Sequence, residues 1–131
     1  MGGGDMKWLL LVFAFTFLST NAMGEWTTVI NGKNDRGAIY YFDYSTIRKA
    51  SNRVKIWELI DFSIAQKVGL SIKSQTEFDC ENEQIRPLFI LSYEKNMGMG
   101  EPNNIVSEPS EWAPVVPESV EEALFKAACG K

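Results

Sequence analysis

Several stretches of the chain alternate apolar and polar residues with the period of two that a half-buried strand imposes. In Arg53 to Ser63, Val54, Ile56, Ile60 and Phe62 share one face, while Lys55, Trp57, Leu59 and Asp61 share the other. Glu58 interrupts the apolar face, which predicts either a bulge or an edge carboxylate with a partner. Leu70 to Cys80 alternates more cleanly: Leu70, Ile72, Phe78 and Cys80 point one way, and Ser71, Lys73, Gln75, Glu77 and Asp79 point the other. Gln84 to Tyr93 sets Ile85, Phe89, Leu91 and Tyr93 on one face, with Pro87 marking an edge or a bulge. Earlier, Glu25 to Ile30 reads as a short strand running into an Asn31-Gly32 turn, and Lys33 to Arg36 as polar loop. Ala38 to Asp43, dense in aromatic and β-branched residues, reads as a strand. Asp43 to Ile47 then predicts one helical turn capped by Asp43 or Ser45, with Ala50-Ser51-Asn52 as the turn out of it.

Near the C-terminus the period changes. Val120, Ala123, Leu124, Ala127 and Ala128 fall at i, i+3, i+4, i+7 and i+8, one apolar stripe of a helix. Ser119 precedes it with Glu122 three residues on, the pattern of a capping box, and Gly130 stands where a left-handed C-cap costs least. A helix of about eleven residues is marginal alone in water and needs a surface to lie on. The period of two puts Cys80 on the apolar sheet face, and Cys129 occupies the last helical turn, so strand and helix can be joined there. Between the last long strand and the helix, Glu94 to Glu111 is a long loop with Gly98, Gly100, Pro102 and Pro109, of the kind that is functional or mobile. Trp112 to Val116 is a short apolar return that Pro114 and Pro117 stop. The expected fold is α+β: an antiparallel β-sheet of about five to six strands with a C-terminal α-helix packed on one face.

Length and composition fit one domain. The chain has 131 residues, 45% apolar and 23% charged, an ordinary globular balance. A net charge of −4 disfavours nucleic acid, which is bound by clustered Lys and Arg. With no His, the commonest general base and metal ligand are missing. Residues 1–24 read as a signal peptide: Lys7, an apolar run from Trp8 to Leu18, then Ala22-Met23-Gly24 at the cleavage site. Met6-Lys7 is a more natural start than Met1. The apolar run is shorter than the roughly 20 residues a bilayer span requires, so the expectation is cleavage after Gly24 and an exported domain over 25–131. No Cys lies at the cleavage site to take a lipid. In an oxidising compartment Cys80 and Cys129 are most simply one disulfide; a free thiol pair and a shared metal are the competing readings.

The candidate chemistry is sparse. Asp43 with Asp61 or Glu58 could pair for acid–base work, but caps and edge charges explain them better. Asp79, Glu81 and Glu83 could hold calcium, though a solvated hairpin turn is the simpler reading. Arg48, Lys49, Arg53 and Lys55 form a basic patch able to meet an acidic or sulfated partner, against the plainer reading of a solvated edge. Trp57 and Trp112, with Tyr40, Tyr41 and Tyr44, could make an aromatic contact surface, core packing being the default for the Trp pair. Met97 and Met99 between glycines could be adaptable contact residues, or part of a plain mobile connection. No catalytic, cofactor or metal site is expected.

The ordered set of motifs resembles the surface-adhesin protein E family of Gram-negative bacteria. Its elements are Trp26; Tyr41, Asp43, Ser45 and Ile47; Val54, Ile56 and Trp57; Ser71, Lys73, Asp79 and Cys80; Arg86 and Leu88; then Trp112, Val115, Pro117 and Ser119, leading to Cys129. The resemblance implies antiparallel strands with a disulfide-fixed C-terminal helix. It also implies a non-enzymatic exported domain, periplasmic or extracellular, binding host matrix or plasma proteins such as vitronectin, laminin and plasminogen. The family's adhesin is an outer-membrane lipoprotein, and this chain lacks the lipobox Cys. The alternative is a periplasmic accessory or inhibitor protein acting on the cell's own envelope. Arg48, Lys49, Arg53, Lys55, Met97 and Met99 are the partner-binding candidates.

Overall fold

The computed structural model describes residues 25–31 and 37–130; the expected signal peptide, its expected cleavage site and the expected Lys33 to Arg36 loop lie outside them. The strands are β1 (Thr27–Asn31), β2 (Ala38–Ala50), β3 (Arg53–Gln66), β4 (Gly69–Asp79), β5 (Gln84–Tyr93), β6 (Asn104–Val106) and β7 (Ala113–Pro114). They form one antiparallel meander in the order β1-β2-β3-β4-β5-β6, with the short β7 also pairing β5. Among the described residues one α-helix, α1 (Val120–Cys129), follows. Tight turns make sequential pairing possible. Ser51 turns β2 into β3 at φ 56°, and Gly69 opens β4 at φ 118°, where a Cβ would come within 2.1 Å of the Tyr93 carbonyl oxygen. No other residue fits that position.

One sheet face is covered by α1. Ala38, Tyr40 and Phe42 of β2, Val54, Ile56 and Phe62 of β3, and Phe78 of β4 pack with Leu124, Phe125 and Ala128 of the helix. Phe78 is the pivot: its ring lies 6.1 Å from that of Phe42 and 6.4 Å from that of Phe125. The helix starts as its sequence predicts, with the Ser119 hydroxyl accepting from the Glu122 N–H at 3.2 Å. It ends at Gly130, φ 73°. Its buried stripe is rotated from the predicted one, because Ala123 is exposed and Phe125 is buried. A phenyl ring removes far more apolar area from water than a methyl does, so it sets the helix's roll. The Cys80–Cys129 disulfide joins Cα atoms 5.7 Å apart and 49 positions distant in sequence.

Three local expectations are corrected by the sheet. Asp43 to Ile47 is a bulge within β2, not a helical turn, since the register shifts between Asp43 and Arg48. The Asp43 carboxylate accepts from the Ser45 N–H at 3.0 Å. The Thr46 hydroxyl accepts from the Trp57 N–H at 3.0 Å, which keeps β3 paired across the irregularity. In β5, Thr76 faces Pro87 while Gln75 faces Phe89, so Leu88 is an extra residue. One inserted residue flips all that follows to the other face. Ile85 therefore joins the helix-side core and is separated from Phe89, Leu91 and Tyr93, with which it was expected to share a face. Glu58 is neither at an edge nor at a bulge of its own strand. It sits in the middle of β3, facing Phe42 on one side and Ser74 on the other, and is buried on the helix side.

Replacing both Cys80 and Cys129 by Ala should lower stability by about 4 kcal/mol, the loop-closure entropy expected for a loop of this size. Urea denaturation of the variant checks this, and an unchanged midpoint would show that α1 docks without its staple.

Candidate functional site

Because α1 covers one face, the other is the natural place for a site. Lys55 faces Glu77 and Arg53 faces Asp79 across β3 and β4. Together with Arg48 and Glu81 these four residues line a shallow depression of about 690 Å³. Lys49 pairs with Val54 and so projects to the helix side, away from the other three basic residues. Asp79 also holds the turn into β5. Its oxygens accept from the Asn82 N–H at 3.0 Å, the Asn82 amide at 3.0 Å and the Glu81 N–H at 3.1 Å. The Asn82 N–H and amide in particular hold its carboxyl below the usual carboxylate range. The acidic cluster is thus a capped hairpin turn. Beside it, Arg86 pairs with buried Glu77 at 2.9 Å, and Trp112 lies 4.4 Å from the Arg86 guanidinium and 5.2 Å from that of Arg53.

Further along the same face, the Trp57 and Phe89 rings meet edge to face at 6.0 Å. Tyr41 and Leu91 are half-buried there as well. Neither Trp57 nor Trp112 belongs to the core, contrary to the default for large aromatics: odd-numbered β3 residues face away from α1, and Trp112 lies over cations. Tyr40 is a core residue and Tyr44 is exposed.

The Met-Gly loop closes the far end. Asp61, eight residues and so about 26 Å along β3 from Arg53, accepts from the Met97 N–H at 2.7 Å and from the Asn96 amide at 3.1 Å. That amide also donates to the Phe62 carbonyl at 2.8 Å, and the Ser71 hydroxyl accepts from the Gly98 N–H at 2.8 Å. A 3-10 turn, Asn96–Gly98, is thereby fastened to the sheet. Met97 is half-buried and Met99 is 59% exposed. The long connection is thus tied at its start by the turn and midway by β6, whose Ile105 pairs with Leu91.

The carboxylates considered for paired chemistry are kept apart. Asp43 ties the β2 bulge and Asp61 the 3-10 turn, while Glu58 lies on the opposite face. Its Oε1 accepts from the Thr76 hydroxyl at 3.1 Å. Its Oε2 is buried without a hydrogen-bond partner among the described residues. Burial first, with the nearby Glu121 charge adding to it, pushes its pKa from 4.5 up to about 7. Tyr41 was a sequence candidate; the contact residues that sequence reasoning missed, Phe89 and Leu91, follow from taking the bulge alternative at Pro87, with Leu88 as the inserted residue.

The profile described as Surface-adhesin protein E matches residues 26–130. The chain belongs to that family. Against the curated proteins nothing matched. Among solved structures, crystal form II of Haemophilus influenzae protein E is similar with a TM-score of 0.57 and 14% identity, covering 70% of this chain and 80% of that one. A further structure of protein E, from non-typeable Haemophilus influenzae, gives a TM-score of 0.56 and 15% identity, covering 79% and 75%. At such identities these likenesses establish the shared fold, and family membership implies an exported protein. Among the described residues no helix is long and apolar enough to cross a membrane.

Asp61→Ala should free the 3-10 turn, lowering stability by about 1–2 kcal/mol and removing hydrogen-exchange protection at the Met97 amide, whose acceptor it deletes. Protection that survives would mean the loop is held by other contacts.

Glu58 sets a pH dependence. Between pH 4.5 and about 7 the folded state keeps a proton that the unfolded chain has released, so this contribution is complete below the window and is lost as pH rises through it. The loss approaches about 3 kcal/mol by roughly pH 8. Glu58→Gln, which holds no charge, should flatten that decline and be the more stable protein at the alkaline end. Chemical denaturation of both proteins at several pH values checks it; parallel profiles would refute it.

Proposed function

We propose that the domain is an exported, non-enzymatic protein-binding module that receives a matrix or plasma protein on its uncovered sheet face, with residues 1–24 serving as a leader and 25–131 as the working domain. One observation carries the reading: the half-exposed Trp57–Phe89 pair sits centrally between a charged depression and an anchored methionine loop. Rigid aromatic residues ringed by polar ones are the usual composition of a binding hot spot. Arg48, Arg53 and Lys55 at one end would orient the partner by salt-sensitive attraction. Met97 and Met99 at the other would adapt to its surface. Lys49 projects to the opposite side and takes a lesser part. Family membership supports the same reading, and the dispersal of Asp43, Glu58 and Asp61 into separate structural roles supports binding over catalysis.

Surface-immobilised binding of vitronectin, laminin and plasminogen tests this. Saturable binding to at least one is expected, weakening with salt and lost on reduction and unfolding. Trp57→Ala should lower that affinity by about tenfold or more, as truncating a hot-spot aromatic does. Binding no better than that of the unfolded control, or indifference to Trp57→Ala, would overturn the assignment.

A further inference from the structure

The helix side of the sheet holds a second feature, independent of the open face. Between β2, β3, β4 and α1 runs a cleft of about 460 Å³ whose walls include Tyr40, Ile60, Phe62, Ile72, Val120 and Leu124. That volume lies within the range of small-molecule sites, roughly 300–1,000 Å³. Glu58 and Thr76 also line it, and exposed Glu111 and Glu121 stand among its lining. Thr76 occupies one oxygen of Glu58; the other, Oε2, is buried without a partner among the described residues, on a residue only 8% exposed. No Lys or Arg is among the lining residues.

A buried carboxylate oxygen with nothing to accept from is costly, and the cost disappears when a donor arrives. The lining narrows what that donor can be. Anions are repelled by Glu58, Glu111 and Glu121 together, and a strongly polar body would lose its hydration against the apolar walls. A cation on an apolar chain satisfies both constraints. We propose that the cleft under α1 is a binding site for an aliphatic primary amine, with the ammonium on Glu58 Oε2 and the hydrocarbon against Ile60, Phe62, Ile72 and Leu124. A free alkylamine and a partner's Lys side chain share this chemistry.

The group that receives the ammonium also makes binding pH-dependent. An ammonium favours the ionised carboxylate, so binding below about pH 7, where Glu58 holds a proton, must expel that proton. The titratable groups facing Glu58 from the surrounding elements are Tyr40 on β2, Glu121 on α1 and Glu111 ahead of β7.

Calorimetric titration of the purified protein with n-hexylamine, 1-hexanol and hexanoate at pH 8 tests the site. Hexylamine is expected to bind, hexanol about tenfold or more weakly, as befits loss of a charge-assisted hydrogen bond, and hexanoate not measurably. Glu58→Gln should abolish the preference for amine over alcohol, whereas Glu121→Gln should change it less than about threefold, as befits a screened rim charge. At pH 6, amine binding should release protons, seen as a heat that varies with the buffer's ionisation enthalpy. Nuclear magnetic resonance shifts should centre on Ile60, Phe62, Ile72 and Leu124. A blocked lysine, N-acetyl-lysine methylamide, separates the sources: binding comparable to hexylamine points to a Lys side chain, and its absence to a free amine. No binding of either amine, equal binding of amine and alcohol, or an unchanged preference in Glu58→Gln would overturn the proposal. Because Glu58 does not reach the open face, Glu58→Gln should leave matrix-protein binding intact, so failure here and failure of the adhesin reading are distinguishable.

Discussion

The docking of a short helix on one side of a meander is the constraint on which the rest of this structure depends. Ten residues of helix do not persist alone in water. Leu124, Phe125 and Ala128 must be buried, and the Cys80–Cys129 bridge keeps them so. This helix covers one face, which makes the two sides of the sheet chemically different. The helix side becomes an aromatic core around Phe78, and the other side keeps a half-exposed row of aromatic and charged residues. The asymmetry that defines the candidate binding surface is a direct result of where the helix goes.

Much of this was legible in the amino-acid pattern, and the reasons are local. β5 runs over the span that its composition predicts, Gln84 to Tyr93. The helix begins at its Ser119 cap and stops at its glycine. The two cysteines meet because period two and period 3.6 place both on the facing surfaces. What escaped prediction depends on inserted residues, three in β2 between Asp43 and Arg48 and one in β5. A bulge at Asp43 looks like a helical turn, since Asp, Ser and Thr make the same short hydrogen bonds in either setting. The extra Leu88 reverses the facing of the rest of β5, so Phe89 and Leu91 part from Ile85, with which they were expected to share a face, and stand on the open surface. Composition carries no signal for such a shift apart from Pro87, which cannot donate to the ladder.

Glu58 is the residue for which pattern reasoning posed the right conflict and the wrong resolution. A carboxylate among Val54, Ile56, Ile60 and Phe62 contradicts its neighbours, and an edge or a bulge would have removed the contradiction. The sheet instead keeps Glu58 in register and buried, with Thr76 on one oxygen alone. Local rules that a fold breaks without visible compensation mark functional positions more often than accidents. The same logic applies to Trp112, which could have filled a core and instead lies over two arginines at the surface.

Adjacent residues on a strand point to opposite sides, so Trp57 and Glu58 belong to different sites while sharing one backbone. A rigid central strand can therefore hold an aromatic contact on one face and a buried acid on the other, with neither side chain constraining the other's partner. The energetics favour such an arrangement only with the staple in place. The ionised carboxylate costs about 3 kcal/mol at alkaline pH, and the disulfide contributes about 4 kcal/mol. Against a total margin of about 5–15 kcal/mol, the first is tolerable mainly because of the second. Since that bridge persists only in an oxidising compartment, export is for this chain a condition under which its least comfortable residue can be kept.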